Sequence, residues 1–115
     1  MRLSGLALAL ALLLGGSLAA QAETKYFAYN LTATTSFPGV YLAPAGTTKW
    51  GPNQALYDDD KELDFGERLT LEGITPGVYD VKLVDKTGRT CIMRQVKLTT
   101  ETSFEIRDAS LTDCK

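Results

Sequence analysis

A run of carboxylates between residues 58 and 64 offers the most obvious chemistry in this 115-residue chain. Its candidate metal ligands alternate along the sequence: Asp58, Asp60, Glu62 and Asp64. Such oxygen donors suit calcium, the one cofactor that the sequence suggests. The run departs from an EF-hand loop, because Leu63 occupies the sixth position, where glycine is required, and Lys61 adds a positive charge. It therefore predicts either a calcium-stabilised loop or a solvated acidic loop.

A second candidate site is the loop that carries Trp50, the only tryptophan. Trp50 begins a Trp-Gly-Pro-Asn sequence that ends at Asn53, and Tyr41 and Tyr57 lie on either side of it. An aromatic side chain on such a loop can stack on a sugar or anchor a protein partner. It can equally fill one end of a small β-sandwich whose core is short of large residues. These four residues are the candidate binding site, with core filling as the alternative for Trp50.

The absence of histidine excludes most catalytic constellations. Ser-His-Asp and Cys-His pairs are impossible, and no imidazole can ligate a metal or titrate near neutrality. Paired carboxylates of the glycosidase type are still possible, but they need a deep cleft that a domain of this size can hardly enclose. We therefore predict that the protein is not an enzyme and has no catalytic residues.

The two cysteines, Cys91 and Cys114, are predicted to form a disulfide in an oxidising compartment. A bond between them would contribute about 3 kcal/mol to stability in the chain-entropy account. Two free thiols for metal or redox chemistry are the alternative, which the lack of a CxxC spacing disfavours.

The N-terminal residues have the pattern of a secretory signal peptide. Arg2 precedes an unbroken run of Leu and Ala over residues 6–14, and Ala20-Gln21-Ala22 fits the small-x-small cleavage rule. The apolar run is too short to span a bilayer, and no second run follows. We predict cleavage after Ala22, so that residues 1–22 are removed. Residues 23–115 are then a single exported domain, periplasmic or secreted, with no membrane span.

The charge balance limits the class of partner. The formal net charge is −2 at pH 7, whereas nucleic acids and anionic lipid surfaces require a basic footprint. We predict a monomeric domain without a nucleic-acid partner. Its expected role is to bind or support another protein of the bacterial envelope.

The element that organises the domain is a predicted β-hairpin over residues 76–93. Apolar residues at 79, 81 and 83 alternate with polar ones, as in a half-buried strand, and residues 85–88 supply a turn. Asp80 is predicted to be exposed. It could equally bond loop amides or pair with Arg89 or Arg94.

Further strands are predicted over residues 25–35, 40–42, 68–71 and 103–107. Asn30 and Thr32 are assigned to the polar face of the first, and Val96 and Leu98 are expected to share the face of Ile92. Turn residues recur about every eight to twelve positions, with no sustained helical period. The pattern predicts an all-β fold, a small antiparallel β-sandwich of six or seven strands with an immunoglobulin- or transthyretin-like arrangement.

Three stretches resemble a group of small exported bacterial proteins. They are residues 40–44, Val-Tyr-Leu-Ala-Pro; residues 50–56, Trp-Gly-Pro-Asn-Gln-Ala-Leu; and residues 79–85, Tyr-Asp-Val-Lys-Leu-Val-Asp, followed by Gly88 and Cys91. The resemblance covers most of the chain after residue 22. It implies a compact β-sandwich outside the cytoplasm, with no activity attached. Asn53 stands where an aspartate is usual in the group, so a ligand site that used this aspartate would be weaker here.

Overall fold

The computed structural model describes residues 24–115, which form two three-stranded β-sheets. The strands, in chain order, are β1 (Tyr26–Asn30), β2 (Gly39–Pro44), β3 (Arg68–Leu71), β4 (Gly77–Val84), β5 (Thr90–Leu98) and β6 (Ser103–Ile106). Short 3₁₀ helices span Gln54–Tyr57 and Asp108–Ser110. The predicted small all-β sandwich is confirmed. The signal peptide predicted over residues 1–22 lies outside the described residues.

Each sheet is built around one central strand. The first sheet has the order β3-β1-β6, and the second has the order β2-β4-β5. Three of the four pairings are antiparallel, as predicted, but β1 and β6 run parallel. No hairpin joins β6 to β1, because β6 enters the first sheet directly from β5 of the second, and so nothing forces an antiparallel pair. Within residues 24–115, no helix has the length and apolar character needed to cross a membrane.

One hydrophobic core draws side chains from both sheets. Alternation along the strands directs apolar residues of β3 and β4 into it: Leu69, Leu71, Val81 and Leu83. Two loop residues, Phe37 and Leu63, are also fully buried. They form a backbone bridge in which each N–H donates to the other residue's carbonyl oxygen, at 3.0 and 2.8 Å. These loop residues add apolar bulk that the short strands lack.

The prediction that Asn30 and Thr32 lie on a polar strand face is wrong. Their exposed fractions are 0% and 5%, and β1 ends at Asn30. The Asn30 amide donates to the backbone oxygens of Thr35 and Leu63, at 2.8 and 3.0 Å. Its Oδ1 accepts from the N–H and the hydroxyl of Thr32, at 3.1 and 2.7 Å. The side chain therefore satisfies buried polar groups where the chain leaves the sheet.

A β-bulge in β5 overturns the predicted alternation of its second half. Arg94 and Gln95 both lie opposite Asp80, where the register between β4 and β5 shifts by one residue. Gln95 takes a φ of 55°, in the left-handed region. The extra residue reverses the alternation, so Val96 and Leu98 turn into the core instead of towards the outer face.

The predicted disulfide between Cys91 and Cys114 is confirmed. It ties the C-terminal segment, residues 112–115, to the side of β5. The segment also exchanges four backbone hydrogen bonds of 2.8–3.0 Å with Thr90 and Ile92. The outer edge of β5 is covered in this way, so its backbone groups there are already paired.

Candidate functional site

The outer face of the second sheet carries a row of side chains that the strand register places next to one another. Tyr41 of β2 lies opposite Lys82 of β4, which in turn lies opposite Ile92 of β5. The neighbours of Lys82 along the strand, Val81 and Leu83, are fully buried in the core. Since side chains alternate along a strand, Lys82 points away from the core.

This face holds a groove with a volume of about 480 Å³, called the outer groove below. Lys82, Thr90 and Ile92 form its floor, because they belong to β4 and β5. One wall comes from the loop after β2, through Thr47, Thr48 and Trp50, and the other comes from residues 113–115, beside β5. Stretches that are far apart in the sequence therefore build one surface.

Lys82 is held between two aromatic rings in this groove. Its Nζ lies 4.7 Å from the ring centroid of Tyr41 and 4.9 Å from that of Trp50, both within the range of a cation–π interaction. Across residues 24–115, no carboxylate oxygen lies within 4.0 Å of this Nζ. The rings therefore hold a positive charge that forms no ion pair with a carboxylate of the described residues.

The loop that carries Trp50 is hydrogen-bonded to the second sheet before and after the tryptophan. The N–H of Gly46 donates to Asp80 Oδ2 at 2.9 Å, and the N–H of Gly51 donates to the backbone oxygen of Leu42 at 2.9 Å. Gly46 has a φ of 82°, which glycine adopts without strain. Trp50 itself is half-buried and lies outside the core cluster. The geometry thus favours the surface interpretation of Trp50 over core filling.

Asp80 joins the loop, the bulge and the C-terminal segment. Its carboxylate, 2% exposed, accepts from the N–H groups of Gly46 and Gln95, at 2.9 and 3.0 Å. The guanidinium of Arg94 lies 3.5 Å from this carboxylate and donates to Asp113 at 3.0 Å. The prediction of an exposed Asp80 is therefore wrong, whereas both alternatives, bonding to loop amides and pairing with Arg94, are confirmed.

These contacts lower the pKa of the Asp80 carboxyl. The hydrogen bond from Gly46 is the largest cause, and burial acts in the opposite direction. The N–H of Gln95 and the charge of Arg94 add to the lowering. Each of these groups stabilises the ionised form, so the carboxylate holds the loop and the bulge together throughout the neutral and mildly acidic range.

We expect Asp80→Asn to lower the free energy of unfolding at pH 7 by about 2 kcal/mol, because the amide loses the charge and one acceptor. The pKa of Asp80 is lowered in the folded protein from an ordinary 3.8. The ionised carboxylate therefore makes its full contribution to stability above pH 3.8. This contribution is lost as the pH falls through the lower pKa that Asp80 has in the folded protein. Urea unfolding at several pH values should show the difference between wild type and variant shrinking below pH 3.8. A difference that is independent of pH would contradict this assignment.

Of the four candidate binding residues, Tyr41 and Trp50 meet around Lys82, but only Trp50 lines the outer groove. Asn53 has a structural task. Its Oδ1 accepts from the N–H of Ala55 at 3.0 Å, which caps the first 3₁₀ helix, and its Nδ2 donates to a backbone carbonyl at 2.9 Å. An asparagine in this position can supply both the acceptor and the donor, which an aspartate could not.

The acidic run is arranged differently from the predicted calcium set. Carboxylate oxygens of Asp58, Asp60 and Glu67 lie within 4.8 Å of one another. Glu62 instead forms an ion pair of 3.2 Å with a lysine, and the backbone N–H of Asp64 donates to Glu67 at 3.2 Å. Asp58 also accepts from the N–H of Asp60 at 3.0 Å, as in a turn. Calcium binding by this loop stays a prediction.

Three parts of the outer groove are absent from the sequence-based candidates: Lys82, Arg94 and the C-terminal segment. The alternation of β4 does direct Lys82 outward, and this signal is present in the sequence. The register that sets Lys82 beside Tyr41, and the bulge that turns Arg94 towards Asp113, depend on pairing between distant strands.

Comparisons with protein-family models, with curated proteins and with solved structures give no match to this chain. The resemblance to small exported bacterial proteins therefore stays a prediction. The site has to be interpreted from its own geometry and chemistry.

Proposed function

We propose that this chain is an exported, non-enzymatic β-sandwich that serves as a binding module of the bacterial envelope, with the outer groove as its binding surface. The observation that carries the proposal is the groove itself, where an aromatic loop, two strands and the C-terminal segment meet around Lys82. A concave surface that combines an aromatic side chain with a few fixed polar groups is typical of ligand sites.

Export is supported by two independent features. The N-terminal sequence has the charge, apolar run and cleavage pattern of a signal peptide. The disulfide between Cys91 and Cys114 suits an oxidising compartment such as the periplasm or the medium. The lack of histidine supports a binding role over a catalytic one.

The single tryptophan makes the proposal testable by fluorescence, because Trp50 lines the groove. Protein and polysaccharide pools from the bacterial envelope are titrated into the purified protein while the Trp50 emission is recorded. We expect at least one pool to change the emission with a saturable dependence on concentration. An Ile92→Glu variant should respond at least tenfold more weakly, since it places a carboxylate on the groove floor.

A matched variant controls for general effects of a changed charge. Lys97, an exposed residue of β5 that does not line the groove, is replaced by methionine, and this variant should respond like the wild type. Melting temperatures of both variants are recorded to confirm that they are folded. The proposal fails if no pool changes the emission, or if Ile92→Glu and wild type respond equally.

A further inference from the structure

Cationic side chains outnumber acidic ones in the lining of the outer groove, in a protein whose net charge is −2. Three cationic side chains line it, namely Lys82, Arg94 and Lys115, together with one acidic side chain, Asp113. Arg94 is paired with two carboxylates, Asp113 at 3.0 Å and the buried Asp80 at 3.5 Å. Lys82 and Lys115 therefore have no acidic partner among the groove residues, and an anionic ligand would be attracted there.

The backbone of the groove floor is fully used by the sheet. β4 lies between β2 and β5, and the C-terminal segment covers the outer edge of β5. An extended peptide usually binds by adding hydrogen bonds to a free strand edge, which this floor does not offer. The floor therefore offers a ligand its side chains only, and the hydroxyl groups of a sugar suit such recognition.

The side chains of the lining match the two kinds of surface that a sugar presents. The hydroxyls of Thr48 and Thr90, and the ion pair between Arg94 and Asp113, can donate to and accept from sugar hydroxyls. The indole of Trp50 offers an apolar surface against which the C–H groups of a sugar ring can pack. Lys82, fixed by two rings, offers its ammonium to a carboxylate.

We propose that the outer groove binds an acidic glycan, a chain of sugars with uronic acid carboxylates, one of which pairs with Lys82 while its sugar ring packs against Trp50. This inference rests on the proposed function of the groove as a binding surface. It adds the chemical class of the ligand and assigns Lys82 as the residue that selects the acidic form.

The test titrates a tetramer of galacturonic acid into the purified protein and follows Trp50 emission. The same tetramer with its carboxylates methyl-esterified is the matched neutral ligand. We expect saturable binding of the acid, at least tenfold weaker binding of the ester, and weakening of the acid's binding as salt is raised. Inorganic phosphate and an acidic peptide are titrated separately as other sources of negative charge.

Variants of Lys82 separate its charge from its packing. Lys82→Met keeps the length of the apolar stem and should weaken binding of the acid at least tenfold, with little effect on the ester. Lys82→Arg keeps the charge and should retain most of the affinity. Lys97→Met removes a lysine of β5 outside the groove and should bind like the wild type.

The outcomes distinguish this inference from the proposed function. Three results would overturn the inference of an acidic glycan and leave the groove as a binding surface. They are equal binding of the acid and the ester, equal affinity of wild type and Lys82→Met for the acid, and tighter binding of phosphate or of the acidic peptide. The inference also fails, and the proposed function survives, if only an envelope pool changes the emission. If neither the tetramer nor any envelope pool does so, both are overturned.

Discussion

Asn30→Ala is expected to lower the free energy of unfolding by about 3 kcal/mol, a large share of the stability of a domain this small. The Asn30 side chain is fully buried and makes four hydrogen bonds, two as donor and two as acceptor. Alanine would leave the backbone oxygens of Thr35 and Leu63 and the polar groups of Thr32 without this partner. Buried polar groups without partners are costly, so the loss exceeds that of an ordinary surface change. Urea unfolding followed by circular dichroism measures it.

Two further variants sharpen this experiment. Asn30→Asp keeps the shape and the acceptor but loses the donors, and it sets a carboxylate against backbone oxygens. It should therefore be strongly destabilised at pH 7 and recover partly in acid, where protonation restores one donor. Thr34→Ala, at an exposed position nearby, should change stability by less than about 0.5 kcal/mol. An Asn30→Ala protein as stable as Thr34→Ala would show that these hydrogen bonds contribute little.

Loss of the disulfide is expected to have an effect of similar size. The double variant Cys91→Ala/Cys114→Ala frees a chain segment that spans 23 residues, so the unfolded state gains entropy worth about 3 kcal/mol. The melting temperature should fall by roughly 10–20 °C. Calorimetry of the oxidised wild type and the double variant measures both quantities.

Reduction provides the control for this prediction. A reducing agent should lower the melting temperature of the wild type to near that of the double variant, and it should leave the double variant unchanged. The four backbone hydrogen bonds between β5 and the C-terminal segment are present without the disulfide, so hydrogen exchange of the Thr112 and Lys115 amides reports whether they suffice. Equal melting of oxidised and reduced wild type would mean that these hydrogen bonds alone hold the segment.

The sequence predicts the parts of the fold that depend on local alternation and turn chemistry. β3 forms over the predicted residues 68–71, and its alternation sets Leu69 and Leu71 on one buried face. Asp85 accepts from the backbone N–H of Thr87 at 2.9 Å, and Gly88 takes a φ of 89°, as the predicted turn requires. These features are settled by a few neighbouring residues, so a single sequence is enough to find them.

The features that the sequence did not reveal depend on residues far apart in the chain. Asn30 has a polar side chain in an alternating strand, and only the loop oxygens that surround it make burial favourable. Gln95 has no special propensity for a bulge. The bulge is stabilised there because the Asp80 carboxylate accepts a hydrogen bond from the Gln95 N–H. The outer groove depends on both the bulge and the C-terminal segment, so local patterns identify Trp50 but not its partners.

The parallel pairing of β1 with β6 has a consequence for biosynthesis. β1 is the middle strand of its sheet and close to the start of the described chain, yet Phe27 pairs with Ser103. Contacts between residues so distant in sequence form slowly, and the ribosome makes the N-terminal strand first. The first sheet therefore stays incomplete until β6 has been made. Until then, the edge of β1 that pairs with β6 is an open strand edge, which can pair with other chains.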